Sequence, residues 1–171
     1  MVIIITGAGH TGKTLLAQRL LEKYKYPYLS IDHLKMGLIR SGNTTLTPLA
    51  DTATLTGYLW PIVSEMIKTA IENKQNLIVE GCYIPLDWAE SFSCEYIENI
   101  KLICLVLSES YIENHFDDIR NFANVIENRI CDDISKDWIA KENEYYRQFL
   151  ADERCKGLVI EDEYNVTVDD M

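Results

Sequence analysis

The sequence predicts an α/β fold, a three-layer sandwich built on a parallel sheet of about five strands. Three observations lead there. Short apolar runs alternate with helical patterns along the whole chain, as βα units require. The longest run, Ile100 to Leu107, is almost continuously apolar, the pattern of a strand buried on both faces. The first run, Val2 to Ile5, enters a glycine-rich loop that opens directly into a helix.

Taken in order, the first helix is expected from Leu15 to about Lys23. Tyr26 to Ile31 reads as a second strand ending at Asp32. His33 to Arg40 reads as a helix, stopped by Ser41-Gly42-Asn43. A polar connection with Pro48 runs from Thr44 to Asp51. A long helix follows from about Thr52 to Asn73, with Leu55, Leu59, Ile62, Val63, Met66, Ala70 and Ile71 on a helical period. Pro61 falls inside it and is expected to kink or break it. Asn76 to Glu80 is the third strand, and a loop with Gly81 and Pro85 leads to a short helix around Leu86 to Phe92. After the fourth strand, Ser108 to Arg129 is polar and helical in pieces. A helix is expected from about Ser135 to Glu153, with Trp138, Tyr145, Tyr146 and Phe149 against the sheet. Leu158 to Ile160 is a last short strand, and the acidic tail from Glu161 reads as marginal.

The chain has 171 residues, which fits one domain with a real core. Its composition, 47% hydrophobic and 25% charged, is that of a globular protein. A net charge of −11 argues against nucleic acid and anionic membrane as partners. The five cysteines are odd in number and never form C-x-x-C, so neither a disulfide framework nor a zinc site is expected. Cys104, inside an apolar run, reads as core. No signal peptide or membrane span is visible, and a reducing cytoplasm is the expected location.

Residues Gly7, Ala8, Gly9, His10, Thr11, Gly12, Lys13 and Thr14 match G-x-x-x-x-G-K-[ST], the Walker A phosphate-binding loop, in the strand–loop–helix context it needs. Glycines let backbone N–H groups turn inward into an anion nest, and the helix N-terminus adds partial positive charge. Lys13 is expected on the β- and γ-phosphates of ATP, and the Thr14 hydroxyl on Mg²⁺.

In parallel α/β sheets ligands bind beyond the carboxyl ends of the strands. Asp32, Glu80 and Ser108 follow such ends and should share one crevice with the loop. Asp32 is placed to take a proton from an attacking hydroxyl, or else to cap the helix from His33. Glu80 is placed as a metal-side acid, or as a structural acid paired with a cation. Lys35 and Arg40 lie on the helix after Asp32. Arg120 and Arg129 lie in a stretch, about 109 to 135, that would suit a lid closing over the nucleotide. Arg129 is the preferred lid cation. The competing reading for both arginines is a surface pair with Asp117, Asp118, Glu127, Asp132 or Asp133. Tyr58, Trp60 and Tyr83 are candidates for lining an acceptor pocket, although helical aromatics are more often core.

With loop, carboxylates and arginines placed, the chain resembles the P-loop kinases of the nucleoside/nucleotide kinase type. The Asp closing the second strand, in Ser30-Ile31-Asp32-His33, looks like that of the small-molecule kinases related to chloramphenicol phosphotransferase and the zeta toxins, where the equivalent Asp is the general base. The run Ser30 to Gly42 also looks like bacterial chains labelled 2-phosphoglycerate-kinase-like. The resemblance implies a P-loop NTPase fold and an ATP- and Mg²⁺-dependent transfer of the γ-phosphoryl group to a hydroxyl of a small molecule. There are departures. Adenylate kinases carry Gly-Phe-Pro-Arg after the third strand, whereas Glu80-Gly81-Cys82-Tyr83-Ile84-Pro85 has no arginine, which weighs against a nucleoside monophosphate acceptor. Asp-x-x-Gly is absent and Asn73-Lys74-Gln75-Asn76 lacks the acid of a GTPase motif. A nucleoside monophosphate kinase and a non-catalytic nucleotide-binding regulator are the alternatives.

Overall fold

The structure is a computed structural model and describes residues 1–122 and 135–167. Five strands form one all-parallel sheet: β1 (Val2–Gly7), β2 (Tyr28–Ser30), β3 (Leu77–Glu80), β4 (Ile100–Leu107) and β5 (Cys155–Ile160), in the order β2-β3-β1-β4-β5. The connections carry helices α1 (Lys13–Tyr24), α2 (Ile31–Arg40), α3 (Thr52–Glu72), α4 (Cys94–Ile97), α5 (Glu109–Asn114), α6 (Phe116–Phe122) and α7 (Lys136–Arg147). Single 3₁₀ turns occupy Trp88–Ser91 and Gln148–Ala151.

Alternation along the strands builds the two faces. Val2 and Ile4 of β1, with Val79, Leu102, Cys104 and Val106, meet Leu55, Leu59, Val63 and Ile67 of α3. Ile3 and Ile5, with Ile78, Ile103, Leu105 and Leu107, meet Leu16, Ala17 and Leu20 of α1 and Tyr111 and Ile112 of α5. A strand with both faces covered must be apolar at every position, and β1 is buried throughout. Burying each large aliphatic side chain contributes about 1.5–3 kcal/mol, so these two layers supply most of the driving force.

Several expectations change. The second strand is shorter than its apolar pattern, because the helix starts at Ile31 with Ser30 as N-cap residue. Asp32 therefore neither ends a strand nor caps a helix. It stands in the first turn of α2, where a negative charge complements the helix dipole. Pro61 does not interrupt α3. Pro61 and Gly57 are exposed, so water can satisfy the Gly57 carbonyl that a proline at i+4 leaves without a donor. Asp51 caps α3 by accepting from the Thr54 N–H at 2.9 Å. Of the aromatics expected on the sheet, Tyr146 and Phe149 are buried, while Trp138 and Tyr145 are exposed. Within its described residues the tail packs on the domain: Val166 is buried, and Arg19 of α1 donates to its carbonyl at 2.7 Å.

Candidate active site

The loop Gly7–Thr14 leaves the central strand and ends where α1 begins. Gly7 has φ of 142°, and a Cβ there would run into the Leu105 backbone of β4. Gly12, at φ of 79°, is the N-cap residue of α1. It carries no capping side chain, and no acid stands in the first turn. No side chain of the helix's own first turn thus fills this N-terminus, the condition that favours a phosphate. Lys13 is buried and its Nζ donates to the Ala8 carbonyl at 2.7 Å; the Thr11 hydroxyl donates to the same oxygen at 2.9 Å. The ammonium therefore lies back over the loop that would hold the phosphates.

Glu80, at the end of β3, is 2% exposed. Its carboxylate accepts from Tyr28 Oη at 3.0 Å and, more loosely, from Thr14 Oγ1 at 3.4 Å. Burial pushes its pKa up, partly offset by Lys13, Ser30 and Tyr28. Ser30 is its cross-strand partner, and the buried Ser30 hydroxyl lies beside the same carboxylate. Two hydroxyls and a carboxylate form a hard-oxygen donor set, which fits Mg²⁺ held largely by phosphates and water. No group of three or more His, Cys, Asp or Glu side chains with metal-site geometry occurs among the described residues. Thr14 and Glu80 are the residues that would hold Mg²⁺, and the bound ion would neutralise charge on the phosphates.

Asp32 accepts from Lys35 Nζ at 2.6 Å, and the same ammonium donates to Tyr83 Oη at 2.7 Å. Burial alone would lower the Lys35 pKa, but the bonds to Asp32 and Tyr83 outweigh it and the value is raised. Cys82 lies between the two centres, with its thiol directed at the Gly7 carbonyl and its pKa pushed up by burial.

Arg40 and Arg120 are exposed, and among the described residues neither bonds to the loop, Asp32 or Glu80; the Arg120 guanidinium lies 6.0 Å from the Phe116 ring centroid. Arg129, and part of the expected lid, lie outside the described residues. Trp60 is core, bonded to Ser91, and Tyr58 donates to the Asn43 carbonyl.

Three side chains join the site without having been singled out for it. Tyr28 reaches Glu80 from the edge strand. Tyr164 in the tail donates to the Thr11 carbonyl at 3.2 Å and stands against Gly12. Trp138 of α7 covers Gly9 and meets the His10 ring edge-on at 6.2 Å. Only the alternation of Tyr28 with Ser30 along one strand face was a usable signal. Behind them, Asn143 accepts from the Leu107 N–H at 2.7 Å and Tyr146 Oη donates to the Cys82 carbonyl at 2.7 Å, fixing the ends of β4 and β3.

A groove of about 970 Å³ opens at the opposite, amino ends of β2 and β3, between Tyr24, Tyr26 and Met66. It holds no buried carboxylate and no glycine loop.

No family model and no curated protein matches the sequence. Solved structures do match in fold. A gluconokinase from Sinorhizobium meliloti 1021 superposes with a TM-score of 0.58 at 12% identity, over 95% of this chain and 84% of that one. A sugar kinase from Janibacter sp. HTCC2649 gives 0.56 at 11% identity, over 94% and 84%. A shikimate kinase from Bacteroides thetaiotaomicron gives 0.52 at 16% identity, over 94% and 86%. At such identities the likeness speaks for architecture alone: five parallel strands between two helical layers, with the glycine loop on the central strand, make this a P-loop NTPase fold of the kinase type.

Proposed function

We propose that the protein is an ATP- and Mg²⁺-dependent phosphotransferase that moves the γ-phosphoryl group to a hydroxyl of a small molecule. The observation that carries this reading is the meeting of three elements at the carboxyl ends of β1, β2 and β3. These are an uncapped α1 N-terminus with Lys13, the buried Glu80 beside Thr14, and Asp32 at the start of α2. A module that only binds nucleotide has no use for a proton acceptor such as Asp32. Loop amides and Lys13 hold the β- and γ-phosphates, Thr14 and Glu80 the metal side, and Asp32 receives the acceptor's proton. Little covalent chemistry falls to the protein, so positioning and charge supply the rate. That the fold neighbours include a gluconokinase, a sugar kinase and a shikimate kinase supports the same reading. A nucleoside monophosphate acceptor is disfavoured, because the turn after β3, Gly81-Cys82-Tyr83-Ile84-Pro85, carries no arginine to meet an acceptor phosphate.

The test is ADP release from Mg²⁺-ATP across nucleoside monophosphates, sugars, hydroxy acids, amino acids and aminoglycoside-like alcohols. Release that depends on a non-nucleotide acceptor is expected. Stimulation by nucleoside monophosphates alone would replace this reading with a nucleotide kinase. ATP binding with no release would leave a regulator.

A further inference from the structure

Lys35 is enclosed in a way a surface lysine is not. Its side chain is 11% exposed, against 40% for its partner Asp32. Nζ donates to Asp32 and to Tyr83 Oη and stands 4.9 Å from the Tyr83 ring centroid. An ammonium has three N–H donors, and among the described residues the third has no protein acceptor. A nearly buried cation with a spare donor is costly unless a further oxygen completes it. The same contact has a second consequence. The Asp32 oxygen that would take the acceptor's proton already carries a hydrogen bond from a cation, so the position an acceptor hydroxyl would occupy is taken. The apo arrangement thus covers the base with an anion receptor.

We propose that Lys35 recognises a carboxylate on the acceptor, which makes the substrate class a hydroxy acid, and that capture of this carboxylate draws Nζ from Asp32 and frees the base. The proposal rests on the phosphotransfer reading above. In the step it prepares, the acceptor hydroxyl loses its proton to the freed Asp32 oxygen. The hydroxyl oxygen forms a bond to the γ-phosphorus. The bond from that phosphorus to the β–γ bridging oxygen breaks, and ADP leaves with the electron pair. Tyr83 keeps the ammonium in place while its anionic partner changes. A neutral alcohol offers Lys35 nothing and leaves Asp32 covered, so selection for charge and activation of the base become one event.

The experiment compares acids with neutral twins: D-gluconate with D-glucitol, D-glycerate with glycerol, and shikimate with its methyl ester. Binding by calorimetry in the presence of Mg²⁺-ADP, and ADP release from Mg²⁺-ATP, are measured on the full chain, on Lys35→Met and on Lys35→Arg, each checked by thermal melting. The expected result is at least one acid favoured over its twin by about 30-fold or more, a factor in the range of a desolvated charge pair. Lys35→Met should reduce that ratio to about threefold or less, and Lys35→Arg should keep most of it. Taking the ratio within one variant cancels any loss of folded protein. An acid preference that survives Lys35→Met, or no acid preference in the wild type, overturns the inference; if a neutral alcohol is then phosphorylated, the phosphotransfer reading stands without it. A Lys35-dependent acid preference in binding with no ADP release does the reverse, upholding the recognition while sinking the phosphotransfer reading.

Discussion

Two lysines divide the site, and they are held in opposite ways. Lys13 sits at the start of α1 and bonds to the loop's own backbone, five residues before it in the chain. Lys35 sits on α2 and bonds to a carboxylate on its own helix and to a phenol from the turn after β3, 48 residues away. The proposed phosphate side is thus a local device that a short segment can build alone. The proposed acceptor side exists only once two distant segments have been brought together by the sheet. A device of the first kind suits a constant ligand such as a triphosphate, whereas one of the second kind can be retuned by changing any of its parts.

The largest expected effect falls on the local side. Lys13→Ala should reduce ADP release by about 10³-fold or more, since the charge on the migrating phosphoryl group would lose its fixed cation. Near-wild-type turnover would end the phosphate-side assignment. Next comes Asp32→Asn, which should keep ATP affinity and lose about 10²–10⁴-fold in turnover, the range for a positioned base. Loss of ATP binding would instead make Asp32 structural or metal-bound. The Lys35 substitutions follow, with an effect confined to acidic acceptors.

Glu80→Gln sharpens the contrast from the stability side. The folded-state pKa of Glu80 is raised, so the native protein holds this proton more tightly than the unfolded chain does. Stability from this group therefore falls as pH rises from the ordinary glutamate range through the raised value, and the penalty is complete above it. Gln removes the penalty and should raise the melting temperature at neutral pH by a few degrees, about what 1 kcal/mol gives a chain of this size. The same change should increase the Mg²⁺ concentration needed for turnover. A lower melting temperature would show that Glu80 is a structural acid. The smallest expected effect is that of Tyr164→Phe, which removes one hydrogen bond to the Thr11 carbonyl. It should cost about 1 kcal/mol or less in stability or nucleotide affinity. A larger loss would make the tail an integral part of the loop.

What was readable in the chain was local or periodic. The span of β4 follows from an almost continuously apolar run, buried from Leu102 to Leu107, and that of α3 from a 3.6-residue period closed by Asp51. The loop follows from glycine and lysine spacing, and the positive φ at Gly12 agrees with it. Errors arose where a local pattern competed with a tertiary one. The apolar run at Tyr26 to Ile31 reads as one strand, but β2 is an edge strand paired for three residues before α2 takes over. Trp138 looks like core by composition and instead covers Gly9, because α7 brings its first turn to the loop rather than to the sheet.

By itself, then, the sequence determined the layered fold and the glycine-rich loop between β1 and α1, since both depend on residues within one turn or one strand of each other. It also named Asp32, Glu80 and Lys35, but not their relations. The parallel sheet decided those: setting Ser30 opposite Glu80 and bringing the turn after β3 beside α2 makes Tyr28 a partner of Glu80 and Tyr83 a partner of Lys35. Hydrogen bonds act over about 3 Å and carry no record in the chain of which residues will come that close. Packing alone settles it, and packing is a property of the whole core.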